Sequence, residues 1–220
     1  MTIRVVLADD EALLRMAFTM ILDTQPGLSV VGEAADGAEA AVLAGRLRPD
    51  VVLMDVRMPV THGIEATRRI VRDCPGTRVL ILTTFDLDEY AFAALKAGAS
   101  GFLLKNSRPD DLLAAIRTIA AGDAVVSPRI TRRLLDTFAP QLLNGSGGGG
   151  DGRLDLLTAR EREVLVLVGR GLSNAEIATA LHLAEATVKT HLGRVLDKLQ
   201  LRDRVQAVVF AYESRLVHPG

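Results

Sequence analysis

Five short apolar runs, "IRVVLA" (3–8), "LSVVGEA" (28–34), "VVLMD" (51–55), "VLILT" (79–83) and "SGFLLK" (100–105), punctuate the first half of the chain. Between and after them, residues 11–22, 37–47, 63–73, 88–97 and 109–121 carry apolar residues at helical spacing. Few folds accept this alternation. Strands of nearly continuous Val, Ile and Leu have no polar face to give to water, so helices must cover the sheet on both sides. The pattern predicts an α/β domain with a doubly wound, five-stranded parallel sheet.

The alternation stops before the run "NGSGGGGDG" (144–152), whose glycine content cannot form a core and reads as a flexible linker. Just ahead of it, "SPRITRRLLDTFAPQLL" predicts a short linker helix from about Pro128 to Pro140. Past the linker the period becomes helical throughout. Thr158 with Glu161, Ser173 with Glu176 and Asp203 with Gln206 have the spacing of capping boxes at three helix starts, and a further helix is expected at 185–199. The expected division is therefore a first domain at 1–125, a linker helix and glycine-rich linker at 126–152, and an all-α four-helix domain at 153–220.

Composition adds limits. A length of 220 residues suits two small domains, and 49% apolar residues supply their cores. The single cysteine, Cys74, excludes an intramolecular disulfide framework and fits a reducing cytosol. No apolar run approaches membrane-spanning length, and residues 1–20 do not read as a signal peptide, so a soluble, cytoplasmic protein without a membrane partner is expected. The net charge of −1 does not by itself point to nucleic acid.

Polar residues recur where the apolar runs end. Asp9 and Asp10 follow the first strand, Asp55 closes the third, Thr83 the fourth and Lys105 the fifth. With strand order 2-1-3-4-5, strands one and three are neighbours at the switch point, and all five groups meet on one rim. Three carboxylates held together repel one another, and a divalent cation relieves the repulsion. An all-carboxylate set suits Mg²⁺. Lys105 and Thr83 add a positive charge and a hydroxyl, both suited to phosphoryl oxygens, and Asp55 is the central carboxylate that can act as a nucleophile.

With "ADD", "LMD", "ILT" and "LLK" in these places, residues 1–125 resemble the receiver domain of two-component response regulators. The resemblance implies a flavodoxin-like fold and phosphorylation of Asp55 by a sensor histidine kinase. It implies Mg²⁺ held by Asp9, Asp10, Asp55 and the backbone carbonyl of Arg57. Lys105 would contact the phosphoryl group and Thr83 would move toward it on activation. Phe102 matches the aromatic switch position, and it reads equally as a core phenylalanine. The loop after Asp55 departs from the family's frequent "MPGMDG": here it is "MPVTHG", with Val60 in place of a glycine and His62 read as a loop residue rather than a ligand.

On the helix expected at 185–199, Val188, Leu192, Val195, Leu196 and Leu199 share one face. The opposite face carries Thr187, Thr190, Gly193 and Arg194, with Lys189 at its edge, a small and basic surface suited to the DNA major groove. The run "LSNAEIATAL…ATVKTHLGRVLDKL" resembles the LuxR-type helix-turn-helix of NarL/FixJ regulators. By that resemblance Lys189 and Thr190 read or abut bases, while Thr187 and Arg194 serve phosphates. Gly193 stands where some relatives have a polar or basic residue. Ala184 replaces a capping serine, with Glu185 compensating through the helix dipole. Val205, Val208, Val209 and Tyr212 on the last helix offer either a dimer surface or core.

Together these features describe a DNA-binding transcriptional regulator switched by phosphoryl transfer to Asp55. It would pair as a homodimer on two half-sites of double-stranded promoter DNA, and it would not be an enzyme. The alternative keeps DNA binding but places the receiver under ligand or partner control, as a dimerisation module. A phosphatase-like enzyme using the aspartate is the third reading, without a substrate-pocket signature to support it.

Overall fold

Val51–Asp55 forms the central strand of the sheet, and every one of its residues is buried. The computed structural model describes residues 2–83, 89–121 and 152–217, with side chains for all of these except 89–92. The chain divides into two units, Met1–Val125 and Val126–Gly220. The linker helix expected at 128–140 and the glycine run up to residue 151 lie outside the described residues.

In the first unit the elements alternate as β1 (Ile3–Ala8), α1 (Ala12–Asp23), β2 (Leu28–Ala34), α2 (Gly37–Leu47), β3 (Val51–Asp55), α3 (Gly63–Asp73), β4 (Arg78–Thr83), α4 (Glu89–Lys96), β5 (Gly101–Leu104) and α5 (Pro109–Ala120). The strands are parallel in the order β2-β1-β3-β4-β5. The period of two sorts their side chains between the two faces. Val5, Leu7, Leu53, Leu80 and Leu82 form one core with Phe18 and Leu22 of α1 and Leu112, Ile116 and Ile119 of α5. The alternate residues Val6, Val52, Met54, Val79 and Ile81 are equally buried on the other face, where α2, α3 and α4 pack.

Local signals set the helix ends. Asp36 caps α2 by accepting from the amides of Ala38 and Glu39 at 2.7 and 2.9 Å. Pro109 opens α5, where its missing N–H leaves nothing unpaired.

The second unit begins with a 3₁₀ turn at Gly152–Leu156, followed by α6 (Ala159–Gly169), α7 (Asn174–Leu181), α8 (Glu185–Leu199) and α9 (Arg204–Glu213). Reciprocal capping boxes start α6 at Thr158–Glu161 and α7 at Ser173–Glu176. Asp203 caps α9 through the Gln206 amide, whereas Ala184 starts α8 without a side-chain cap. Glu161 also receives Lys198 Nζ at 2.7 Å and so ties α6 to α8.

Val188, Leu192, Val195 and Leu199 are buried as expected, with Leu196 half-buried at the edge. Helix α9 corrects one of the two readings of its apolar residues. Val205, Val208, Val209 and Tyr212 are only 4, 5, 6 and 5% exposed, so they belong to the core of this unit and do not form a dimer surface. The reason is that α9 packs along α6, and its buried residues occupy more than one face.

Candidate functional site

Parallel register brings the carboxyl ends of β1, β3, β4 and β5 to one rim. Asp9 leaves β1 with its amide bonded to the Ala34 carbonyl at 3.1 Å, and its Oδ1 accepts from the Glu11 amide at 2.9 Å. Its carbonyl accepts from Arg15 Nη1 at 2.7 Å. Asp9 and Asp55 are buried, and Asp10 is exposed beside them. One carboxylate oxygen from each of Asp9, Asp10 and Asp55 lies within 4.8 Å of the others.

Lys105 enters from the end of β5, where its amide bonds to the Thr83 carbonyl at 2.8 Å. Its ammonium lies 2.8 Å from Asp9 Oδ2 and 3.0 Å from Asp55 Oδ2. Burial pushes the Asp55 carboxyl above its ordinary range, and the hydrogen bond and charge of Lys105 only partly offset this. For Lys105 burial presses the pKa down, but hydrogen bonds and charge from Asp9 and Asp55 hold it above its usual value. The backbone of Arg57 also hydrogen-bonds Asp55, while its side chain is exposed.

Thr83 is buried at the end of β4, one step beyond Leu82, the register partner of Asp55. Phe102 is buried on β5 opposite Ile81. The sequence-derived rim thus assembles as a unit. Its donor set of hard, clustered carboxylate oxygens, two of them from buried residues, fits Mg²⁺.

The loop from β3 to α3 is held at several points. The Gly63 amide bonds the Val56 carbonyl at 3.0 Å, and the Gly37 amide at the start of α2 bonds the Thr61 carbonyl at 3.1 Å. A β-carbon at Gly63 would overlap the carbonyl oxygen of Asp55, and one at Gly37 would come within 2.5 Å of the Thr61 carbonyl oxygen. Between these points the Thr61 amide bonds the Pro59 carbonyl at 2.7 Å, and Val60 has φ +64. Val60 is therefore the centre of a γ-turn of the rare, strained, positive-φ kind. It is 88% exposed. His62 occupies the N-cap position of α3 without a side-chain cap bond, as a loop residue.

Sequence reading missed Glu11, whose Oε1 lies 3.9 Å from Lys105 Nζ, and Arg15, which holds the Asp9 carbonyl. It also missed the two close-packed glycines. The run "DDE" carries a signal for Glu11. Nothing local marks Gly37, since its tight contact comes from another element.

On α8, Lys189, Thr190 and Arg194 are exposed, and Thr187 and Gly193 are half-buried, on the side away from Val188, Leu192, Val195 and Leu199. The Thr190 hydroxyl donates to the Ala186 carbonyl at 3.0 Å.

Comparison with known proteins agrees with this geometry in both units. Residues 5–117 match the response regulator receiver domain family, and residues 155–211 match the luxR family of bacterial regulatory proteins. The chain is 42% identical over 216 residues to the transcriptional regulatory protein YxjL of Bacillus subtilis, covering 98% of this chain and 97% of that protein. It is 37% identical over 217 residues to the response regulator protein VraR of Staphylococcus aureus, covering 99% and 100% of the two. Among solved structures it resembles the response regulator ChrA of a heme-sensing two-component system, at 36% identity and a TM-score of 0.53, covering 98% of this chain and 99% of that one.

Proposed function

The chain belongs to the DNA-binding transcriptional response regulators that join a receiver domain to a LuxR-type helix-turn-helix, and we propose that phosphorylation of Asp55 by a sensor histidine kinase controls it. The observation that carries this reading is the Lys105 ammonium standing between Asp9 and Asp55, at 2.8 and 3.0 Å, in the acidic cluster.

In the transfer, an Asp55 carboxylate oxygen attacks the phosphorus of a phosphohistidine. A P–O bond forms, the P–N bond breaks, and its electron pair returns to the imidazole. Asp9, Asp10, Asp55 and the Arg57 carbonyl would hold Mg²⁺, which when bound offsets negative charge on the phosphoryl oxygens. Lys105 exchanges its contact with the Asp55 carboxylate for one with the phosphoryl group. Thr83 turns its hydroxyl toward the same group, and Phe102, on the strand paired with that of Thr83, follows.

The altered receiver surface then favours pairing of two chains on paired half-sites in double-stranded DNA. Lys189 and Thr190 face bases, and Thr187 and Arg194 face phosphates, with Gly193 between them. Acting on chromosomal DNA places this work in the cytoplasm.

The test is binding of the purified full-length protein to fragments of its own genome, with and without beryllofluoride and Mg²⁺. Enrichment of two-half-site sequences that strengthens with beryllofluoride is the expected result. Binding indifferent to beryllofluoride would instead support control by a ligand or partner protein.

A further inference from the structure

We infer that Arg15 is a positioning residue for the Mg²⁺ site: held by Glu33, it fixes the peptide plane that joins two of the ligands, Asp9 and Asp10. The inference rests on reading the rim as a Mg²⁺ site and assigns a role to two residues outside it.

A carboxylate in the strand "LSVVGEA" needs a reason, and the register of β2 supplies one. Leu28 to Val30 pair with Ile3 to Val5, and then the register slips, so that Gly32, Glu33 and Ala34 pair with Val6, Leu7 and Ala8. A slip of one residue moves a side chain to the other face of the sheet. Glu33 thereby lies opposite Leu7, on the face that α1 covers, and not opposite Ala8. There its Oε2 accepts from Arg15 Nε at 3.2 Å and its Oε1 from the Thr19 hydroxyl at 3.1 Å. Arg15 and Thr19 are four residues apart on α1 and so share a face.

The anchored guanidinium, its side chain 17% exposed, donates from Nη1 to the Asp9 carbonyl at 2.7 Å. That carbonyl belongs to the planar unit between Asp9 and Asp10. The Asp9 amide is bonded to the Ala34 carbonyl, and Asp9 Oδ1 accepts from the Glu11 amide. Asp9 is thus held before its α-carbon, at its side chain and, through Arg15, after it. Asp10 is exposed, so packing does little to aim its carboxylate, and the peptide plane ahead of it does more.

Mg²⁺ demands near-ideal octahedral geometry, so ligand placement weighs heavily in its affinity. A guanidinium bonded to one ligand's backbone also repels a dication. The two effects have opposite signs. If Arg15 acted only as a nearby charge, its removal would tighten cation binding. If it acts by positioning, its removal loosens binding.

The probe is Mn²⁺, another cation suited to oxygen ligands, added to the purified full-length protein. Free ion is read by electron paramagnetic resonance with Mg²⁺ as competitor, each variant being measured below its own unfolding transition. Arg15→Met should weaken Mn²⁺ and Mg²⁺ binding in parallel by about tenfold, the usual scale for a residue that orients a metal ligand. Glu33→Ala should weaken it less, and that effect should vanish in the Arg15→Met background, because Glu33 acts through Arg15. A simple loss of negative charge would carry the same factor in both backgrounds. If Arg15→Met does not fold, Arg15→Lys replaces it. Lysine keeps the charge, but its single nitrogen cannot reproduce the guanidinium's two-nitrogen fork, and weakening of about threefold is expected.

Unchanged or tighter binding in the Arg15 variant overturns the inference, as does a Glu33→Ala effect that persists without Arg15. A wild-type protein that binds no Mg²⁺-displaceable Mn²⁺ would be a distinct result: the metal site itself fails, and the inference with it.

Discussion

Gly63 lies against the backbone carbonyl oxygen of Asp55 so closely that a β-carbon at that position would overlap it. The residue that opens α3 thereby fixes the end of the strand carrying Asp55, the proposed phosphoryl acceptor. Gly63→Ala must push the Asp55 carbonyl or the start of α3 aside. It should destabilise the first unit by roughly 2–4 kcal/mol and slow labelling by acetyl phosphate. Gly37→Ala meets the Thr61 carbonyl at 2.5 Å and should give the same pattern more weakly. Urea unfolding and labelling rates check both, and a normal Gly63→Ala protein would contradict the packing.

Val60, at φ +64, has backbone strain, and its side chain is 88% exposed. Val60→Gly should therefore stabilise the protein by about 1 kcal/mol, seen as a higher urea midpoint at unchanged slope. An unchanged or lower midpoint would show that the turn is not strained as described.

Lys105 separates two buried carboxylates. Lys105→Met leaves Asp9 and Asp55 facing each other, which should destabilise the protein without added metal by roughly 3–5 kcal/mol. Mg²⁺ should restore part of that loss, because a ligand bound only by the folded state stabilises it. The melting temperature of Lys105→Met should then depend on Mg²⁺ more steeply than that of the wild type, while labelling of Asp55 slows at least about tenfold. Equal Mg²⁺ dependence in the two proteins would argue against a shared site.

The Glu161 carboxyl in the second unit is held down at about 2, first by its hydrogen bond from Lys198 and then by the Thr158 backbone amide. Its folded pKa lies below the ordinary 4.5, so its contribution is complete above that value and fades as pH falls from there toward about 2. Lys198 is more than a third exposed, which limits the effect to about 1–2 kcal/mol. Urea midpoints between pH 6 and pH 3 should fall for the wild type and be flatter for Glu161→Gln over the same interval.

These features differ in how far the sequence disclosed them. The strands were legible because a doubly covered sheet needs runs such as Val51–Met54, and a charge at the end of such a run has to sit at the rim. Asp9, Asp10, Asp55, Thr83 and Lys105 were legible for the same reason. The left-handed conformation of Val60 was not, since it follows from hydrogen bonds that clamp its loop to Val56 and to Gly37 on another element. The interior position of Val205, Val208, Val209 and Tyr212 was equally hidden, because helical spacing alone does not say how many neighbours a helix has.

Intact-mass and peptide mass spectrometry after incubation with acetyl phosphate and Mg²⁺ tests the phosphoryl-acceptor assignment most directly. The wild-type protein should gain one phosphoryl group, located on Asp55. Asp55→Asn should gain none, and chelation of Mg²⁺ should abolish the wild-type signal. Stoichiometric labelling of Asp55→Asn, or a phosphoryl group on another residue of the wild type, would contradict it.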